Sequence, residues 1–118
     1  MNDNKGFTLS ELLIVIAIIA ALVAIMLPVF SGRIERAHEA ADFANVRAAC
    51  SVVNSNFLSG EGDLTINVPI TQEKPKWTID NDTIETVFGA RIKVPAKTKE
   101  EGFYIVSIDP NTGVITVT

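Results

Sequence analysis

The hydrophobic pattern divides the chain into two regimes. From Leu12 to Phe30 there are 19 consecutive residues with no charge, hydroxyl or amide. A helix rises about 1.5 Å per residue, so this run reaches roughly 28 Å, close to the ~30 Å hydrocarbon core of a bilayer. Apolar character stops at Phe30-Ser31-Gly32-Arg33. From there to Leu58, apolar or small residues recur at Ile34, Ala37, Ala41, Ala44, Ala48, Val52 and Phe57, close to a 3.6-residue period. Glu35, Arg36, Glu39, Asp42 and Arg47 mark the wetter side, and Ser59-Gly60-Glu61-Gly62 supplies a stop. The pattern predicts one long helix over about residues 8–58, loosened near Pro28 and Gly32. Its first half is apolar all round and its second half amphipathic, as suits a helix that packs on other helices below and on a globular head above.

Past Gly60 the period changes to that of strands. Leu64–Ile70 alternates, as do Ala90–Val94 and Tyr104–Ile108 less cleanly, and Val114–Thr118 ends the sequence. Asp109-Pro110-Asn111-Thr112-Gly113 between the last two runs is a hairpin signal. Lys76–Ile79 suggests a further short strand, and Asp82-Thr83-Ile84-Glu85 ahead of Gly89 fits a capping box, a short helix and a glycine stop. The expected fold is α+β: a small antiparallel sheet laid against the upper half of the helix, in the manner of a lollipop. About 60 residues bury little core alone, so the helix must supply part of it.

Composition then narrows the chemistry. At 118 residues the chain suits one domain. With Cys50 as its single cysteine it has no intrachain disulfide, and Cys50 reads as a small apolar residue facing the sheet. One histidine, His38, and one cysteine make no nucleophilic set, so no enzyme is expected. Asp80-Asn81-Asp82 opens like a calcium loop, but Ile84 and Glu85 stand where such a loop needs an oxygen ligand and glycine. No metal or other cofactor is therefore expected. The formal net charge of −4 gives no general attraction to nucleic acid. Arg91, Lys93, Lys97 and Lys99 form a local basic strip without stacking aromatics, better read as a solvated face or a lysine-guarded edge.

The residues just ahead of the apolar run are the most informative: Lys5-Gly6-Phe7-Thr8-Leu9-Ser10-Glu11, leading into Leu12-Leu13-Ile14-Val15-Ile16-Ala17-Ile18-Ile19-Ala20. A carboxylate at the edge of a lipid-like segment is costly and marks a functional site with a partner. An ordinary cleaved signal peptide fits poorly. Its n-region would be basic and its apolar stretch shorter, with a small-x-small site after it; here Asp3 and Lys5 cancel and no Ala-x-Ala ends the run. A plain transmembrane anchor is the blander reading, with Glu11 merely at the interface and solvated by headgroups. Over residues 5–30 the sequence closely resembles the class III signal of type IV prepilins, with a short type IVa-like leader.

That resemblance implies a leader of residues 1–6, a transmembrane and filament-core helix over 7–32 and a head over 33–118. A prepilin peptidase would cut between Gly6 and Phe7, and the new terminus would be N-methylated at Phe7. Glu11 would set assembly register, and Pro28 and Gly32 would be the points of helix kinking. The implied partners are further copies of the chain in a helical filament, the peptidase, the pilus assembly machinery and, before assembly, the cytoplasmic membrane, with the N-terminus cytoplasmic. The implied destination is a cell-surface pilus serving adhesion, motility or DNA uptake. A pseudopilin of a type II secretion system, whose N-terminal signal looks the same, stays open, as does a monomeric membrane-anchored binding domain as a different class. Two departures stand out. The second helix proline common in such pilins, twenty residues past Pro28, is here Ala48, and Ser10 replaces a large aliphatic residue before the acid. The paired cysteines that close a C-terminal loop in many pilins are also missing.

Overall fold

A computed structural model describes residues 5–78, 82–86 and 89–118 of the chain. Its elements run α1 (Leu9–Ser59), β1 (Thr65–Pro69), β2 (Thr83–Glu85), β3 (Arg91–Lys93), a 3₁₀ turn (Lys99–Glu101), β4 (Phe103–Ile108) and β5 (Ile115–Val117). The chain divides into two compact units, one ending at Arg33 and the other running Ile34–Thr118.

In the first unit the helix carries its apolar side chains uncovered, Ile14, Leu22 and Phe30 among them. It is long and apolar enough to cross a membrane. The helix is unbroken through Pro28 and Gly32. Proline has no N–H, so the helical bond to the carbonyl of Ala24 is absent. Ser31 Oγ donates to the carbonyl of Pro28 at 3.1 Å, a local side-chain bond on the same turn. A side chain at Gly32 would meet nothing within 4 Å. Within a single chain, glycine is therefore not required there by packing.

In the second unit β1, β4 and β5 form an antiparallel sheet in the order β1-β4-β5, with Val68 opposite Tyr104 and Ser107 opposite Thr116. β2 and β3 form a separate two-stranded sheet, Ile84 opposite Ile92. Pro69 is tolerated because β1 is an edge strand and needs no outward N–H. The expected hairpin is present. Asp109 Oδ1 accepts from the N–H of Asn111 at 2.8 Å, and its carbonyl accepts from the N–H of Gly113 at 2.8 Å. Gly113 has φ 70, and a side chain there would press on the Phe57 ring at 3.2 Å. The core joins Val46, Ala49, Cys50 and Val53 of α1 to Val68, Tyr104, Val106, Ile108 and Val117 of the larger sheet and Ile84 and Val94 beside the smaller.

Three expectations are corrected. Asp82–Glu85 is not the start of a helix: Thr83–Glu85 is β2, because β-branched Thr and Ile fit a pleated surface and Ile84 is fully buried. Lys76–Thr78 forms no strand. The chain there instead inserts Trp77, whose indole N–H donates to the carbonyl of Val94 at 3.0 Å and whose ring lies 4.4 Å from that of Phe43; Ile79 falls outside the described residues.

The largest correction concerns the faces of α1. Ile34, Ala37, Ala41, Ala44, Ala48 and Val52 are exposed, whereas Glu35, Glu39, Asp42, Val46, Ala49, Cys50 and Val53 are buried. The inward line thus steps by three or four residues through three carboxylates before it becomes apolar. Each carboxylate takes up backbone N–H groups of the segment that follows β1. Asp42 accepts from Thr71 N–H at 3.0 Å, Gln72 N–H at 3.0 Å and the Thr71 hydroxyl at 2.6 Å. Glu35 accepts from the N–H groups of Glu73 at 3.0 Å and Lys74 at 2.7 Å. Glu39 accepts from Thr78 N–H at 2.9 Å and its hydroxyl at 2.8 Å. A segment without strand partners has unpaired donors, and charge-assisted bonds are the strong kind; together they make buried carboxylates tolerable on this face.

Replacing Asp42 by Ala strands these donors in a buried setting. We expect a loss of about 3 kcal/mol, from bonds to a charged group worth ~1.5–3 kcal/mol each and partly replaced by water. Arg47→Ala on the exposed side should stay within about 0.5 kcal/mol. Denaturant unfolding of the detergent-solubilised chain, followed by fluorescence of its single tryptophan, Trp77, checks both.

Candidate functional site

The residues singled out ahead of the apolar run occupy one short stretch. Gly6 and Phe7 are non-helical and exposed, Phe7 at 86%, and the helix begins two residues later at Leu9. A side chain at Gly6 would meet nothing within 4 Å, so no packing contact in the isolated chain calls for glycine here. A need for a small residue at this position has to come from a molecule that handles the peptide bond.

Thr8 and Glu11 close the helix start reciprocally. Thr8 N–H donates to Glu11 Oε2 at 3.0 Å, and Glu11 N–H donates to Thr8 Oγ1 at 3.2 Å. This is a capping box, satisfying two of the donors that a helix start leaves open. A carboxylate in the first turn is further favoured by the positive end of the helix dipole. The box turns the Glu11 carboxylate back toward Phe7. Thr8-Leu9-Ser10-Glu11 carries this signature in the sequence, a hydroxyl residue followed three positions later by Glu.

The other singled-out residues are not brought to this site. Cys50 is buried in the core, and burial pushes its thiol pKa up, away from the thiolate form that reacts. His38 lies on the head portion of α1, its Nδ1 4.0 Å from Glu35. Among the described residues no group of His, Cys, Asp and Glu is arranged to hold a metal ion. Asp80 and Asn81 of the calcium-like run lie outside the described residues, and Asp82 is paired with Lys93 at 3.3 Å. The basic strip is also broken up. Lys99 Nζ meets Glu73 at 2.7 Å, which raises the lysine's pKa and lowers the glutamate's, and Lys97 lies 6.0 Å over the ring of Tyr104.

Residues 1–27, which hold the capped start and most of the apolar run, match the prokaryotic N-terminal methylation motif. Over its whole length the chain is 31% identical to the type IV major alpha-pilin of Moraxella bovis, covering 70% of that protein. It belongs to the type IV pilin family. Two further relatives are a fimbrial protein of Moraxella nonliquefaciens, 43% identical over 51% of this chain and 39% of that protein, and a fimbrial protein of Neisseria meningitidis serogroup A, 29% identical over 98% of this chain and 55% of that protein. The aligned part thus spans between about two fifths and seven tenths of these relatives. No solved structure matches the chain significantly. Type IV pilins are structural subunits rather than enzymes, and the 51-residue helix with its small antiparallel sheets accords with their α+β fold.

The capping box of this pilin can be tested alone. Thr8→Val removes the hydroxyl acceptor and keeps the shape. Loss of a cap costs about 1 kcal/mol, which corresponds to roughly five-fold faster hydrogen exchange at the Glu11 amide. NMR of the micelle-bound chain measures it; unchanged exchange at Glu11 would mean the box is not what protects that amide.

Proposed function

We propose that this pilin is made as a precursor, cut between Gly6 and Phe7 at the cytoplasmic face, methylated on the new Phe7 amine and assembled through its N-terminal helix into a helical surface filament. The observation that carries this is the placement of the Gly6–Phe7 bond. It is exposed and non-helical, directly outside a capped helix whose first turn presents Glu11 and whose next residues are apolar on every side.

Each part of that arrangement has a physical use. A non-helical peptide next to a glycine can enter a protease cleft without unwinding the helix. Cleavage creates an ammonium at Phe7, close to a carboxylate that the Thr8 bond already turns toward it. In an apolar medium an unpaired charge costs far more than a paired one. Before assembly the apolar helix is shielded by the bilayer; afterwards the same surface packs on neighbouring helices. Glu11 can meet its own chain's Phe7 amine or that of a neighbour. Subunits whose axial position lets every charge find a partner are favoured over those that leave one bare, so the pair acts as a register device.

Mass spectrometry of the chain from its native host should find an N-terminus at methylated Phe7. An intact Met1, or a cut beyond Ala20, would sink the proposal. Glu11→Ala should leave the cut largely intact while removing the partner of the Phe7 ammonium. Breaking such a pair in a low-dielectric setting costs about 3–5 kcal/mol, enough to abolish most filament in the fraction sheared from cells. Normal yield from Glu11→Ala would count against the register role.

A further inference from the structure

Two apolar features of the head lie at opposite ends of β4. At the far end is a groove of about 410 Å³ between the last turns of α1, the β2–β3 hairpin and the β4–β5 turn; Leu58, Ile92, Val114 and Ile115 line it and Arg91 stands at its wall. Leu58 is 69% and Val114 57% exposed, large apolar side chains left open among the described residues. At the near end Phe103, 53% exposed, begins β4 opposite Pro69 on the outer face of the sheet, with Ile105 exposed two residues on. Exposed apolar patches of this kind mark contact sites.

We infer that the heads of neighbouring copies meet in a repeating contact in which Phe103 of one copy enters the groove of the next and its Glu100 faces that copy's Arg91. The occupant is a second copy of this chain, an inference that rests on the proposed assembly into filaments. Charge complementarity selects it. Glu100 and Glu101 stand three and two residues ahead of Phe103 across Gly102, and Glu100 is exposed, whereas Glu101 accepts from Thr98 N–H at 2.7 Å. On the groove side Arg91 is exposed, while its neighbour Lys93 is committed to Asp82. Knob and acid thus sit together at one end, and hole and base at the other. β4 is six residues long, and at about 3.3 Å per residue the ends are roughly 17–20 Å apart, so a head does not fill its own groove. A contact between two different patches does not close on itself as a symmetric dimer does; repeated, it builds a ring or an open helix. A pilus needs the second.

The full chain expressed in its host tests this in two independent ways. Arg91→Glu and Glu100→Arg should each reduce sheared filament about ten-fold, the factor that 1.4 kcal/mol sets, and the two together should restore it. A double variant no better than the product of the singles overturns the contact. Separately, Phe103→Cys with Val114→Cys, oxidised in sheared filaments, should give a ladder of disulfide-linked multimers absent from either single variant and from the parent with Cys50 alone. Filaments of that double variant that run as monomer, or cross-link to a different protein, also overturn it. Both failures leave assembly itself standing, since the unaltered chain still forms filaments. Absence of sheared filaments from the unaltered chain is the separate result that removes the assembly proposal and this contact with it.

Discussion

The head is tied to its helix by carboxylates accepting from backbone N–H groups. The segment from Thr71 to Thr78 runs between β1 and β2 without strand partners, so its amides take their partners from the helix instead. Asp42, Glu35 and Glu39 accept from Thr71 and Gln72, from Glu73 and Lys74, and from Thr78. Much else follows from this constraint. Because those acids need the segment, the line of α1 that bears them must face inward. Val46, Ala49, Cys50 and Val53 continue the same line and so meet the sheets. The segment, once held, places Trp77 against Phe43, with its indole bonded to Val94 beside β3. A head with about 60 residues beyond the helix has little apolar core to spare. Directional bonds between helix and loop supply orientation that a small core would leave loose, and orientation is what a repeating subunit requires.

Turning the acids inward turns the small residues outward. Ile34, Ala37, Ala41, Ala44, Ala48 and Val52 lie uncovered in the isolated chain. Small side chains let helices approach closely, and alanine carries no polar atom that would need a partner once water is gone. The lower helix has the same property in stronger form, being apolar on every side. Both surfaces stay uncovered in the single chain.

The long helix, the apolar run, the Asp109–Gly113 hairpin and four of the strands were legible because each rests on a local pattern: periodicity, unbroken apolarity or turn chemistry. The inward face of α1 was not. Counting Glu35, Glu39 and Asp42 as wet follows from the usual cost of burying charge, and the donors that offset it come from residues 29 to 39 positions further on. The signal available was the spacing: Glu35, Glu39 and Asp42 fall on the helical line that reaches Val46, Ala49 and Val53. The strand at Thr83–Glu85 was hidden for a related reason. Its capping-box spelling is a local preference, overruled when Ile84 fills the core. The split into two sheets is likewise a tertiary outcome that no single strand encodes. At the N-terminus sequence and structure agree more closely, since a cap acts within one turn.

The N-terminal box and the acidic clasp on the head solve the same problem in different solvents. In each, a glutamate or aspartate at the edge of an apolar region is held by backbone amides rather than by a cation. An amide partner neutralises no charge, so the carboxylate keeps its attraction for a positive group that arrives later. In the head no cation is needed, because the amides already satisfy the acids and the fold is complete. At Glu11, among the described residues, one backbone amide donates, that of Thr8, and it reaches a single carboxylate oxygen. Under the proposed processing, cleavage next to Phe7 would supply such a positive group. In that proposal the chemistry sets the order of events: before the cut Glu11 has its cap, and after it there would be an ammonium to pair with, on its own chain or on the next.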